Sequence, residues 1–307
     1  DHRWIGEHPD FYTHNDEGEI IDPINPETGK SWGWTDVADL NYNHPALRDS
    51  MIQQMLYWVR EENIDGFRCD VAGAVPTDFW KRAIDSLRSV KPVFMLAEAE
   101  KPELLKAGFD MQYAWEALHI INNLALGNKT IADWDAYMEA LPTRLEADDI
   151  LMNFTSNHDE NAWNGTVFER LNHTVEIFTV LTYLSPGMPM IYNGQEYDLK
   201  KRLAFFEKDT IPHIKGKMYT LYEKLGQLKA HHPALGTGKN HGTYRRIPTS
   251  KDHQVLAFER TKGNQKVVFA GNFSADTLTI NLDIQGKFQD YLEASSIVLI
   301  TFGQIKS

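Results

Sequence analysis

Between residues 45 and 229, short apolar runs alternate with amphipathic helical segments, and that alternation leaves few folds open. From Pro45 to Glu62, Leu47, Met51, Met55, Leu56 and Val59 recur at helical spacing, with Arg48, Asp49, Arg60 and Glu61 on the other side. Strand-like runs follow at Gly66 to Val71, Val93 to Ala97, Phe109 to Tyr113, Ile150 to Phe154 and Met188 to Tyr192. Helix-like stretches succeed them around Asp78 to Val90, Glu103 to Ala107, onward through Leu126, Val167 to Leu184, and Gly216 to Lys229. Strands alternating with helices in this way predict parallel βαβ units. After His232-Pro233 the pattern changes to short strand-like runs separated by turn residues, at Val255 to Arg260, Lys266 to Asn272, Thr277 to Leu282 and Ile297 to Phe302. These predict a separate antiparallel module over 236–307, following a parallel β/α region over 44–235 and an irregular segment over 1–43.

Composition narrows the functional classes. A hydrophobic share of 42% with 24% charged residues is that of a chain able to bury a core. No apolar run approaches the roughly 18 residues of a membrane span, so no membrane partner is expected. The formal charge of −12 opposes nucleic-acid backbones and anionic lipid heads but is indifferent to a neutral substrate. Cys69 is the single cysteine and cannot form an intrachain disulfide. Asp1 to Glu7 show no signal-peptide pattern, and localisation stays open.

Three carboxylates stand at or just past the C-terminal ends of apolar runs: Asp70 after Gly66-Phe67-Arg68-Cys69, Glu98 after Phe94-Met95-Leu96-Ala97, and Asp159 after Asn157-His158. In a parallel β/α barrel, that face carries the catalytic groups. Strand alternation puts Arg68 and Asp70 on one face and Cys69 on the other, where a guanidinium can hold a carboxylate ionised and oriented. Any one of these acids alone reads as an ordinary loop acid; three in succession along one alternation read as a site.

The spacing resembles the α-amylase family, glycoside hydrolase family 13. Gly66-Phe67-Arg68-Cys69-Asp70, Leu96-Ala97-Glu98 and Ser156-Asn157-His158-Asp159 look like its second, third and fourth signature regions. Asp36-Val37-Ala38-Asp39-Leu40-Asn41 is similar to its fifth region, and Pro186 to Glu196 to the stretch around its eighth strand. The resemblance implies a (β/α)8 TIM-barrel type fold with a C-terminal antiparallel β domain. It implies Asp70 as nucleophile, Glu98 as general acid/base and Asp159 as transition-state stabiliser. Arg68 would orient Asp70, and His158, with Asn157, would belong to the substrate site. The implied reaction is retaining cleavage of α-1,4-glucosidic bonds in glucans or maltooligosaccharides, in which one carboxylate attacks while an acid protonates the leaving oxygen. The apolar approach Met95-Leu96-Ala97 favours a protonated Glu98.

Departures from the family pattern set further expectations. Asp70 comes too early to follow three complete βα units of about 30 residues each. The family's first region is missing, so only strands 4–8 are expected here, with an N-terminal segment or another chain completing the barrel. Gly73 and Ala74 stand where many α-amylases carry a Lys-His pair, which weakens the usual calcium site. Asp10, Asp16, Glu17, Glu19 and Asp22 offer hard oxygens but read better as a solvated loop; no metal or cofactor is expected. Trp32 and Trp34, flanking Gly33, read equally as a sugar-stacking platform or as the core of an irregular loop. Trp163 could line the cleft or anchor its loop. An α-glucosidase or transglycosylase would use the same acids, and a non-catalytic glucan binder on this scaffold is the alternative of a different class.

Overall fold

The computed structural model describes residues 2–25, 28–284, 289–292 and 297–302. The chain divides into two compact units, Asp1–Phe109 and Asp110–Ser307.

The first unit opens with a short helix, α1 (Trp4–Glu7), and irregular chain tied by single bridges, Tyr12 to Leu40 and His14 to Ile20 among them. This segment has its own small core, in which Phe11, Tyr12 and Leu47 are buried and Trp4, Ile20, Leu40 and Met51 pack around them. Leu47 and Met51 come from helix α2 (Pro45–Arg60), whose apolar stripe therefore serves the loop segment. Next come β1 (Gly66–Cys69), α3 (Thr77–Arg88), β2 (Phe94–Ala97) and α4 (Pro102–Ala107). Strands β1 and β2 pair in parallel from Gly66 opposite Phe94 to Cys69 opposite Ala97. Gly66 is required at that start: a Cβ there would lie 1.9 Å from the Phe94 carbonyl oxygen. Helix α3 buries Phe79, Trp80, Ala83, Ile84 and Leu87, and the Trp80 indole N–H donates to the Ala72 carbonyl at 3.0 Å. Cys69 is buried, and burial pushes its thiol up to about 12, so it packs as a small hydrophobe.

The second unit continues with β3 (Met111–Tyr113), α5 (Trp115–Ala125), α6 (Ile131–Arg144), β4 (Ile150–Asn153), α7 (Val167–Leu171), α8 (Val175–Leu184), β5 (Met188–Pro189) and α9 (Lys217–His231). Strands β3, β4 and β5 form a parallel ladder, Met111 opposite Ile150 and Met152 opposite Met188. The long helix expected over Val167 to Leu184 is broken, because Asn172 adopts a left-handed backbone (φ 48°) between α7 and α8. Helix α6 was not anticipated. It starts on a capping box, Thr130 with Asp133, and buries Ile131, Trp134, Tyr137 and Met138.

The C-terminal module is an antiparallel sheet in the order β6, β7, β8, β10, β9, with β6 (Thr243–Arg246), β7 (Val255–Lys262), β8 (Gln265–Asn272), β9 (Gln289–Asp290) and β10 (Ile297–Phe302). Every residue from Val255 to Arg260 is buried, because this strand has two covered faces. Leu256 and Phe258 join the large core beneath the helices, while Val255 and Ala257 join a second cluster. The run Thr277 to Leu282 is not a strand as expected. Both edges of β8 are already taken by β7 and β10; Leu278, Ile280 and Leu282 instead cover the second cluster, with one bridge from Leu282 to Thr249.

Buried Arg260 fastens this module to the end of α8, and the half-buried Lys229 of α9 ties that helix to the segment after α8. Arg260, fully buried, donates to the carbonyls of Leu184 (2.7 Å), Gly242 (3.2 Å) and Thr243 (3.3 Å). Lys229 donates to the Gly187 carbonyl at 2.7 Å. Burial first, and the neighbouring Arg260 second, push the Lys229 ammonium down to about 7. Between that value and the unfolded one near 10.4, the unfolded chain binds the extra proton. Stability from this group therefore rises with pH above 7 and is flat below. Lys229→Met removes the rise. Urea unfolding at pH 6 and pH 10 is expected to show the variant losing ground to the unsubstituted chain at the higher pH, by on the order of a few kcal/mol. Parallel shifts at both pH values would contradict this.

Candidate active site

Arg68 lies on β1, two residues from Asp70, which follows the strand. The guanidinium reaches both acids of the first unit: Nη1 pairs with an Asp70 carboxylate oxygen, and Nη2 lies 2.8 Å from Glu98 Oε1. Parallel pairing explains the meeting. Arg68 is level with Leu96 and Cys69 with Ala97, and the Glu98 N–H donates to the Cys69 carbonyl at 3.0 Å, so both acids leave adjacent strands at the same height. Asp70 is well exposed, whereas the Glu98 side chain is only 12% exposed. Leu96 and Ala97 suggest an apolar approach to Glu98, but its carboxylate instead has a guanidinium on one oxygen and the Val71 N–H on the other, at 2.8 Å. Val71 holds a left-handed backbone (φ 42°), rare for a β-branched residue and costing about 1–3 kcal/mol. The turn that carries this strain is the one that presents the N–H to Glu98.

Trp32 and Trp34 belong to the same unit. Their rings stack with centroids 5.5 Å apart and planes 13° off parallel, and they are 47% and 37% exposed. They lie outside the loop core. Asp22 organises the turn beneath them: Ser31 Oγ donates to Oδ1 (2.6 Å) and the Trp34 N–H to Oδ2 (3.0 Å). The Ser31 hydroxyl holds the Asp22 carboxyl below its usual range. Gly33 supplies the positive φ of 75° between the two tryptophans. The loop acids have local partners: Glu19 receives Asn15, and Asp10 faces His44 at 2.9 Å. Among the described residues, no group of three or more His, Cys, Asp or Glu is arranged to hold a metal ion.

In the second unit, Asp159 precedes a π-helical turn, Glu160–Asn164, a rare geometry that concentrates at functional sites. His158 Nε2 lies 3.4 Å from Asp159 Oδ2, and both side chains remain partly exposed. Asn157, 1% exposed, faces inward: its Oδ1 accepts the Glu160 N–H at 2.7 Å. Behind the turn, Arg170 is largely buried and donates to Gly165 (2.9 Å) and Thr155 (2.7 Å) carbonyls and to Asn122 Oδ1 (2.7 Å), with Glu160 at 3.3 Å. Arg170 fixes the loop that carries Asp159, a role that residue type and spacing alone do not reveal. Trp163 is 59% exposed on the π turn.

Parallel strands each followed by a helix, with acids at or just past their C-terminal ends, are the arrangement of the β/α-barrel class. A family model described as the alpha amylase catalytic domain matches residues 31–104. "Alpha-amylase MalA" of Haloarcula japonica is 26% identical over 268 residues, covering 84% of this chain and 38% of that protein. A cyclomaltodextrinase from a Bacillus species is 24% identical over 247 residues, covering 76% and 43%. The crystal structure of an alpha-amylase from Lactobacillus plantarum superposes with a TM-score of 0.82 at 22% identity, over 98% of this chain and 75% of that one. The chain is thus similar to proteins of the α-amylase family over these stretches, and its fold is part of a TIM barrel with a C-terminal β domain. It spans about two-fifths of the length of these curated relatives. Among the described residues, no helix is long and apolar enough to cross a membrane.

Proposed function

We propose that the protein is a glucan-active enzyme that cleaves α-1,4-glucosidic bonds by double displacement, with starch-like glucans or maltooligosaccharides as substrate. The observation that carries this reading is the single guanidinium of Arg68 on both Asp70 and Glu98. Two carboxyl groups fixed on one cation at neighbouring strand ends suit a retaining mechanism, which requires them about 5–5.5 Å apart.

In this mechanism Asp70 attacks the anomeric carbon while Glu98 gives its proton to the departing glycosidic oxygen. The product is a glucosyl ester on Asp70. Glu98, now ionised, takes a proton from water, whose oxygen bonds to the anomeric carbon as the ester bond breaks. Two inversions leave the α configuration unchanged. Asp159 is assigned to stabilising the positive charge that develops on the sugar ring, and His158 to a sugar hydroxyl. The exposed Trp32–Trp34 stack suits the apolar face of a pyranose. Nothing in this scheme requires a metal ion or an organic cofactor.

Incubating the whole protein with maltoheptaose and following the newly formed reducing ends by proton NMR tests the proposal. Internal fragments that appear first as α anomers support a retaining hydrolase. First-formed β anomers would exclude the mechanism, and binding without turnover would favour a glucan-binding role. Glycosidic transfer products would move the reading to a transglycosylase using the same acids.

A further inference from the structure

Beside Asp159 the second unit exposes three large aromatic rings in one place. Trp163 on the π turn is 59% exposed, and Phe205 and Phe206, on the chain between β5 and α9, are 40% and 71% exposed. Trp163 meets Phe205 with ring centroids 5.1 Å apart at 47°, and Phe205 meets Phe206 at 4.9 Å and 77°. Inclined rings make a cup rather than a flat stack. Its cavity, about 430 Å³, is lined by these rings together with Ala162, Leu203 and Glu207, and its size falls in the range of ligand pockets, roughly 300–1,000 Å³.

The cup is held open by polar ties. Asn161, buried, accepts the Leu203 N–H on Oδ1 (2.8 Å) and donates from Nδ2 to the Lys201 carbonyl (3.3 Å). Asp209 accepts the N–H groups of Ala204 (3.0 Å) and Thr210 (2.7 Å) and pairs with Lys201. Arg202 reaches Glu169 at 3.2 Å. The loop therefore cannot fold inward to cover its own phenylalanines. Exposed apolar surface fixed in this way marks a binding site.

The position indicates the occupant. Phe205 lies against His158, rings 6.0 Å apart and 24° from parallel, and His158 adjoins Asp159. A ligand in the cup is thus continuous with the candidate catalytic loop. Aromatic rings suit the C–H faces of a neutral sugar, and Glu207 on the rim can accept hydroxyl protons. We propose that Trp163, Phe205 and Phe206 form a subsite for a glucosyl residue other than the one being cleaved, so that this cup sets the preference for longer glucans. The inference deepens the glucan reading and rests on it for the identity of the sugar.

Calorimetric titration of maltoheptaose into the Asp70→Asn protein, expected to bind without turnover, tests the cup directly. Adding Trp163→Ala or Phe206→Ser is expected to weaken binding about five- to tenfold, the scale of one aromatic contact, with Trp163→Phe restoring most of it. Phe206 is largely exposed, so its replacement leaves the fold intact and keeps the test valid if Trp163→Ala misfolds. In the Asp70-containing protein the same changes should lower kcat/KM for maltoheptaose by that factor and leave kcat/KM for α-glucosyl fluoride within twofold. Unchanged affinity for maltoheptaose, equal losses on both substrates, or burial of the cup in a self-associated dimer seen by light scattering would overturn the proposal. Failure of the unsubstituted protein to turn over either substrate would count against the hydrolase reading instead, and the titration would still judge the cup.

Discussion

Asp70→Asn is expected to reduce kcat for maltoheptaose by about ten-thousandfold or more, with sugar affinity and thermal stability close to those of the unsubstituted protein. The amide has the shape of the carboxylate but cannot form the glucosyl ester, so the loss falls on the chemical step. Arg68 keeps Glu98 as a partner in the variant, which limits the structural consequence. Chemical rescue sharpens the test. In Asp70→Ala, azide can enter the vacated space and attack the anomeric carbon from the face that Asp70 used. The carbon–nitrogen bond forms as the glycosidic carbon–oxygen bond breaks, with Glu98 protonating the leaving oxygen, and the product is a β-glycosyl azide. Rescue with α configuration, or full activity in Asp70→Asn, would remove Asp70 from the nucleophile role.

Glu98→Gln is expected to discriminate between substrates rather than lower all rates alike. A general acid contributes about 10²- to 10⁴-fold, but only where the leaving group needs a proton. Hydrolysis of maltoheptaose should fall by that amount. Ester formation from α-glucosyl fluoride, whose fluoride departs without a full proton transfer, should fall far less. Ester breakdown still needs a base, so the glucosyl ester should accumulate and appear as an initial burst of fluoride. Equal losses on both substrates with no burst would contradict the assignment of Glu98 as acid/base.

Much of the fold is legible from periodicity. Leu47, Met51 and Val59 mark α2, and the short apolar runs mark the parallel strands, because a period of 3.6 or a compact apolar run is a local property. The same holds for Arg68 and Asp70, whose shared side follows from strand alternation. What depends on register is not local. That Arg68 also holds Glu98 emerges only when Arg68 is set level with Leu96, a pairing between residues 28 positions apart in sequence. Helix α6 was obscured by Pro142 within its last turn and by its acidic surroundings, although Ile131, Trp134 and Met138 carry the stripe. Thr277 to Leu282 has the alternation of a strand, yet alternation reports one covered face and does not require a ladder partner. Phe205-Phe206 stands in the sequence only as an apolar pair in a charged loop, with no pattern that marks a site. Its meaning depends on Asn161, which lies more than 40 residues earlier and pins that loop beside Trp163.

Mass spectrometry of a trapped intermediate probes the covalent step without relying on a rate. A 5-fluoro-α-glucosyl fluoride forms the glycosyl ester and slows its breakdown, because the ring fluorine destabilises both positively charged transition states. After proteolysis, a single 5-fluoroglucosyl adduct is expected on the peptide containing Asp70, absent from Asp70→Asn. An adduct on Glu98 or Asp159, or turnover of the reagent with inversion and no adduct, would contradict the account.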